Sequence, residues 1–310
     1  MEVQAFIDEQ VETIRRTVGS EKALVALSGG VDSSTVAVLG RRAVGDQLDC
    51  LFLDDGLMRK DEGPTVRLLF ADLGTTVRIL DVADRFFAAL KGHADPEEKR
   101  KAFRDTFYST LGDAVRDSGA AFMLQGTIAA DVIETQKGIK TQHNILEQIG
   151  IDPTARYGLQ ILEPLRTLFK HEVREVARAL GLPPEISERQ PFPGPGLATR
   201  VVGEVTPERV ATVRDAQAIV EEELAPFEPF QCLAVLFSDR ATGLRDGGRE
   251  LGQIIAVRAV HSTDAMTAAV VQVPWEVLVR LQERICAEVP GVIKVLYDLT
   301  PKPPSTIEYV

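Results

Sequence analysis

Phe6, Ile7, Gln10, Val11, Ile14 and Val18 recur at helical spacing, so residues 3–18 read as an amphipathic docking helix that Gly19 ends. The pattern then changes to short apolar runs, each closing on a polar or glycine cluster: ALVAL into SGGVDSS, LDCLFL into DDG, TTVRIL into DVADR, AAFML into QGT, and LQIL into EPLR. Runs of this length bounded by turn residues predict buried strands. Helical stretches separate them, including residues 64–73 closed by Gly74 and a long helix opening at Asp95-Pro96 with Glu97 and Glu98 in its first turn. The alternation predicts an α/β fold with a doubly wound parallel sheet and right-handed crossovers. Ligands of such sheets bind beyond the carboxyl ends of the strands, where all of these polar clusters fall.

A further helix over residues 168–180 stops at Gly181, with Pro183 and Pro184 beyond it, and PFPGPGL (residues 191–197) is too rich in Pro and Gly for an element interior. The expected division is therefore residues 1–190 and residues 191–310. The second part reads as a small α+β domain. It shows a helix capped at Thr206-Pro207, strands near FQCLAVLFS and QIIAVRAVHS around a glycine turn, a helix from Pro274, and a strand near VIKVLYDLT. Its final residues, PKPPSTIEYV, hold three prolines and are expected to be extended.

Composition narrows the function classes. With 45% hydrophobic and 26% charged residues, and no apolar run of membrane-spanning length, the 310-residue chain is expected to be globular and to have no membrane partner. No secretion signal is read at MEVQAFIDEQ, so a cytoplasmic location is expected. A net charge of -11 argues against a general nucleic-acid binder, which needs surplus Lys and Arg to displace counterions. Cys50, Cys232 and Cys286 form no CxxC pair and read as buried free thiols.

The sharpest chemical signal is the segment Ser28-Gly29-Gly30-Val31-Asp32-Ser33-Ser34 between a strand and a helix. Paired glycines let successive N–H groups and the helix N-terminus converge on an anion, and Ser28, Ser33 and Ser34 add hydroxyl donors. No Walker lysine is present. Instead Asp32 stands where a carboxylate would repel phosphates unless a cation lay between them, which makes it a candidate Mg²⁺ ligand. A plain strand-to-helix turn with serine capping is the bland alternative. Gln125, Gly126 and Thr127, with Asp131 and Glu134 in an expected loop, close the fourth strand either as turn chemistry or as a second ligand-binding segment. Lys99, Arg100 and Lys101 lie on the expected polar face of a helix whose apolar face is Phe103, Phe107, Leu111 and Val115, and such a triplet is by default solvated.

The loop SGGVDSS resembles that of the ATP pyrophosphatases, which cleave ATP between its α and β phosphates and transfer AMP to a substrate oxygen. DPEEKRK (95–101), LQGTIAADVIET with IKTQHN (124–144), RQPFPGPGLATRVVGEVT (189–206) and KPPSTIEYV (302–310) resemble GMP synthases in particular, above all the separate synthetase subunit of two-subunit enzymes. The resemblance implies ATP as co-substrate and Mg²⁺. It also implies xanthosine monophosphate (XMP) as substrate, held by Arg100, Lys302, Thr306 and Glu308, and a catalytic Lys140 beside Asp32 to neutralise departing pyrophosphate. Gly126 and Thr127 would join Ser28, Gly29, Gly30, Val31, Ser33 and Ser34 around the triphosphate. The implied reaction is attack of the C2 oxygen of XMP on the α-phosphate, then displacement of AMP by ammonia.

None of the cysteines sits on the glycine-flanked elbow of a class-I glutaminase, so ammonia would come from a separate glutaminase subunit or from free ammonium. Such enzymes dimerise through the second domain, so a homodimer is expected. The sequence departs from the family at Gln142, where a His is usual, at Asp246-Gly247-Gly248-Arg249, where GDGR is common, and at Asp55 in Asp54-Asp55-Gly56, which would face solvent or adjust an adenosine pocket. The rival readings are another amidotransferase or thiolase of the same loop class, the latter wanting a catalytic cysteine pair, and a non-catalytic nucleotide-binding homologue.

Overall fold

The computed structural model describes residues 2–136, 159–245, 247–263 and 265–310. Lys140, Gln142 and Asp246 lie outside the described residues, as does the side chain of Glu134. The described helices are α1 (Val3–Val18), α2 (Val31–Val44), α3 (Glu62–Asp72), α4 (Ala83–Leu90), α5 (Pro96–Ser118), α6 (Ala129–Gln136), α7 (Lys170–Ala179), α8 (Pro207–Leu224) and α9 (Trp275–Glu288), together with short turns of helix. The strands are β1 (Ala23–Leu27), β2 (Leu48–Asp54), β3 (Val77–Asp81), β4 (Phe122–Leu124), β5 (Gln160–Leu162), β6 (Gln231–Arg245), β7 (Gly248–His261), β8 (Ala269–Val270) and β9 (Val292–Tyr297). Two compact units result. One gathers Met1–Asp54, Asp61–Val82 and Asp105–Arg189, the other Asp55–Lys60, Ala83–Arg104 and Gln190–Val310.

The first unit is built on a five-stranded sheet in the order β3-β2-β1-β4-β5, parallel throughout. Because β1 lies between β2 and β4, the chain runs outward one way through β2 and β3 and then returns to the other side of β1. The strand order therefore reverses at the carboxyl ends of β1 and β4, which register as Val25 opposite Leu124. Sheets of this kind open a crevice at such a reversal. Leu24, Leu51, Leu53 and Met123 pack with Leu111, Ala114 and Val115 of α5 and with Leu159 in one apolar layer. Elsewhere α1 packs on α2, burying Ile7, Ile14 and Val18 as its apolar spacing requires, and Gly19 ends it with φ 58°.

The second unit carries the long antiparallel pair β6–β7, in which Gln231 opposes Val260 and Arg245 opposes Gly248. Both strands run several residues further toward the hairpin end than their hydrophobic stretches suggest. β8 pairs antiparallel and β9 parallel with β7, α8 packs on β6, and α9 packs on β9. Thr206 caps α8 by accepting a hydrogen bond from the Arg209 N–H at 3.3 Å, and Asp95 caps α5 through the N–H groups of Glu97 and Glu98 at 2.9 and 3.1 Å.

Two local expectations change. Residues 129–136 form helix α6 rather than a loop, because Asp131 Oδ2 turns back to accept from the Ile128 N–H at 3.1 Å and closes the first turn. Lys99 is not on a solvated face: it is buried and its Nζ donates to the Val201 carbonyl at 2.6 Å. Burial, with the nearby charge of Arg209 adding to it, holds the Lys99 pKa down to about 8. None of the three cysteines is in a disulfide, and burial pushes the Cys50 and Cys232 thiols up to about 12. Among the described residues, no helix is long and apolar enough to cross a membrane.

Candidate active site

The phosphate-type loop leaves β1 at Leu27 and enters α2 at Val31, so the glycine pair lies at the strand reversal and the amino end of a 14-residue helix. Its hydroxyls hold the loop shut on itself. Ser28 and Ser33 Oγ atoms are 3.1 Å apart, the Ser28 N–H donates to Ser33 Oγ at 3.2 Å, and Ser33 Oγ donates to the Gly30 carbonyl at 3.2 Å. From the neighbouring strand, Gly126 comes against this loop. A Cβ at Gly126 would lie 2.9 Å from the Ser33 nitrogen and 3.0 Å from the Asp32 carbonyl carbon, so only glycine fits there without a shift. The structure thereby brings together the two segments that the sequence reading singled out, SGGVDSS and Gln125–Thr127.

Asp32 is the electrostatic centre of this crevice. Lys170, the first residue of α7, donates to its Oδ2 at 2.7 Å. The lysine is placed by a capping arrangement in which Glu172 Oε2 accepts from the Phe169 N–H at 2.8 Å. The other oxygen, Oδ1, is shielded and has no hydrogen-bond partner among the described residues, and the same holds for Ser34 Oγ and Thr127 Oγ1. Burial raises the Asp32 carboxyl above its ordinary pKa, Asp131 adds to the rise, and Lys170 and Arg174 oppose it. Lys170 did not figure in the sequence reading. It stands 138 residues from Asp32, and its one local signal is the basic start of an amphipathic helix.

A second group of predicted residues belongs to the other unit. Glu308 is held by Arg200 Nε and Nη2 at 3.3 and 3.1 Å, by Thr199 Oγ1 at 3.3 Å and by the Gln231 side-chain amide. Thr306 donates its hydroxyl to the Glu308 carbonyl, and Lys302 Nζ donates to the Ala265 carbonyl at 2.8 Å. The tail is anchored at several points. Ile307 is buried with Val260 and Ala268, Tyr309 packs beside Phe237, and fully buried Arg258 donates to the carbonyls of Thr300, Thr306 and Ile307 and to Asp298. Arg258 and Arg200, both absent from the sequence reading, organise this end of the chain. Arg100 is partly exposed and pairs with Glu97 one turn earlier in α5. Asp55 does not face solvent: it is buried and accepts from the Leu57 N–H at 2.8 Å, the geometry of a tight Asx turn.

A five-stranded parallel sheet with a glycine-serine loop at its reversal, together with a unit carrying an antiparallel hairpin, fits a synthetase of the ATP pyrophosphatase class, and the comparisons with known proteins show that class. Residues 1–108 match the family model described as NAD synthase, and residues 220–309 match that described as GMP synthase C terminal domain. Over nearly its whole length the chain is similar to proteins named as one subunit of glutamine-hydrolyzing GMP synthase. It is 51% identical to that of Methanopyrus kandleri over 98% of both chains, and 51% identical to that of Methanocella arvoryzae over 100% of this chain and 99% of the relative. The protein of Pyrococcus furiosus is also 51% identical, over 99% of this chain and 97% of its own. The chain belongs to this family of GMP synthase subunits.

Proposed function

We propose that this chain is the synthetase subunit of a two-subunit GMP synthase, a ligase that uses ATP to aminate XMP to GMP. The full-length identity of 51% to GMP synthase subunits carries the reading. The C2 oxygen of XMP attacks the α-phosphorus of ATP while the bond to the bridging oxygen of pyrophosphate breaks. Ammonia then adds at C2, and AMP leaves with the former C2 oxygen as a proton is lost from nitrogen. Amides of Gly29, Gly30 and Val31, hydroxyls of Ser28, Ser33 and Ser34, and the Gly126–Thr127 segment would cradle the phosphates, and Lys170 would set the position of Asp32. Lys140 would add a cation beside the leaving pyrophosphate.

The shielded Oδ1 of Asp32, without a hydrogen-bond partner among the described residues, fits a cation. Among the described residues no group of three or more His, Cys, Asp or Glu could hold a metal, and one carboxylate completed by substrate phosphates is how Mg²⁺ is commonly bound. Mg²⁺ held there would neutralise charge on the triphosphate. Arg100, Lys302, Thr306 and Glu308 are proposed to hold XMP. The partner is proposed to be a glutaminase subunit that delivers ammonia, and the setting the cytoplasm. The decisive assay supplies XMP, ATP, Mg²⁺ and ammonium. GMP, AMP and pyrophosphate should appear in equal amounts, whereas glutamine alone should give none. ATP consumption without GMP would point to another amidotransferase, and no turnover to a non-catalytic homologue.

A homodimer through the second unit is proposed as well. Trp275, Leu296 and Leu299 are 72%, 42% and 74% exposed, and among the described residues β9 is paired along β7 alone. Of these, Leu296 lies in β9 itself, and exposed apolar side chains and half-paired sheet edges are usually covered. Sedimentation at micromolar concentration should show twice the chain mass of 33.9 kDa, and a purely monomeric boundary would end the proposal.

A further inference from the structure

The side chain of Arg189, the last residue of the first unit, makes three hydrogen bonds that no part of the mechanism above uses. Its Nη1 and Nη2 meet Glu62 Oε1 and Oε2 at 2.5 and 2.6 Å, a two-pronged pair, and Nη1 also donates to the Gly29 carbonyl at 3.1 Å. The Glu62 side chain is 4% exposed, so the carboxylate is removed from water and fully committed to the guanidinium. It also presses on the loop itself, since a Cβ at Gly29 would overlap Glu62 Oε1. Gly29 has φ 73°, a conformation that glycine adopts freely and other residues resist.

These contacts bear on one peptide plane. In a trans peptide the C=O of residue 29 and the N–H of residue 30 point in opposite directions. A glycine pair can turn such a plane over, and one orientation would aim a carbonyl, with its partial negative charge, where the other aims an N–H. Arg189 holds the Gly29 carbonyl on its own side. The Gly30 N–H is thereby turned toward the Ser28 hydroxyl, which it meets at 3.4 Å. We propose that Arg189, braced by Glu62, is a positioning residue that locks the Gly29–Gly30 peptide with its N–H presented to the phosphates of the nucleotide. This rests on the proposed use of ATP at the loop and adds a residue to that site.

Lysine in place of Arg189 keeps the charge but cannot span both carboxylate oxygens and the carbonyl at once. In Arg189→Lys, kcat/KM for ATP in the ammonium-dependent reaction should fall at least about thirtyfold, and Mg·ATP affinity by calorimetry at least about tenfold. KM for XMP and the melting temperature should stay near wild type. Glu62→Gln, which retains one acceptor for the guanidinium, should lose only a few-fold in kcat/KM. A merely structural role would lower the melting temperature of both variants and leave the kinetic constants of the folded fraction unchanged, which overturns the proposal. So would wild-type ATP affinity in Arg189→Lys. If wild-type protein binds Mg·ATP but does not convert XMP, the substrate reading fails while the calorimetric comparison still decides this one. If wild type binds no ATP, both fall.

Discussion

Asn in place of Asp32 should slow pyrophosphate release from ATP by at least about a hundredfold while leaving the melting temperature of the free protein unchanged or higher. The variant is nearly isosteric and can keep an oxygen toward Lys170. It removes the charge whose second oxygen, Oδ1, is shielded and unpartnered among the described residues. A carboxyl whose folded pKa lies above its unfolded value takes up a proton on folding. Its contribution therefore favours folding at acid pH and is lost as pH rises from the unfolded value through the raised folded one. The Asp32 shift has that sign, with burial as its first cause, so ionising this carboxyl costs the fold stability. The pair with Lys170, whose side chain is 47% exposed, offsets part of that cost. A site held against stability is the usual mark of a group kept for function. Pyrophosphate release and differential scanning should be measured together. Wild-type release at saturating Mg²⁺ would remove Asp32 from the metal site.

The tail should give the second large effect. Glu308→Gln and Lys302→Ala are each expected to weaken XMP binding by at least about tenfold and to leave Mg·ATP affinity unchanged. Deleting residues 302–310 is the wrong experiment. It would remove two of the carbonyls that satisfy fully buried Arg258 and the carboxylate opposite fully buried Arg200. Stripping a partner from a buried charge costs about 3–5 kcal/mol, enough to unfold the unit and abolish activity for a trivial reason. Glutamine at 308 keeps one acceptor oxygen for Arg200, a smaller loss than the deletion, and Lys302 contributes a single side-chain bond to the Ala265 carbonyl, so both variants should fold, which their melting temperatures check. Calorimetry with XMP decides between a binding tail and a structural one. Unchanged affinity in both would leave Arg200 and Arg258 as its whole purpose.

Elements with local chemistry were legible from the chain alone. The caps at Asp95 and Thr206, the stops at Gly19 and Gly181, and the five apolar runs of the first unit all act within a few residues, so spacing exposes them. Contacts made by long side chains across the fold were not. Periodicity assigned Lys99 to the polar face because it counts residue types, whereas a four-carbon stem can bury itself and find one carbonyl 102 positions away. Lys170 and Arg189 reach the loop from 138 and 160 residues off, and strand order, which no local pattern encodes, is what puts them near it. The resemblance to GMP synthases named the tail as a substrate segment. It gave no hint that Arg200 and Arg258 tie that tail down.

The second unit is assembled from three separated stretches, Asp55–Lys60, Ala83–Arg104 and Gln190–Val310. During synthesis the first two leave the ribosome long before the third exists. Leu57 must wait for Leu197, whose N–H donates to its carbonyl at 2.7 Å, and Lys99 must wait for Val201. Domains generally fold as units during translation, and pairings distant in sequence form late. The nascent chain therefore spends about 100 residues of elongation with a buried-to-be lysine and the apolar faces of α4 and early α5 exposed to other proteins. Neither unit can be cut out as one continuous gene fragment, and a truncation ending near residue 190 should emerge as a client of chaperones rather than as a working half-enzyme.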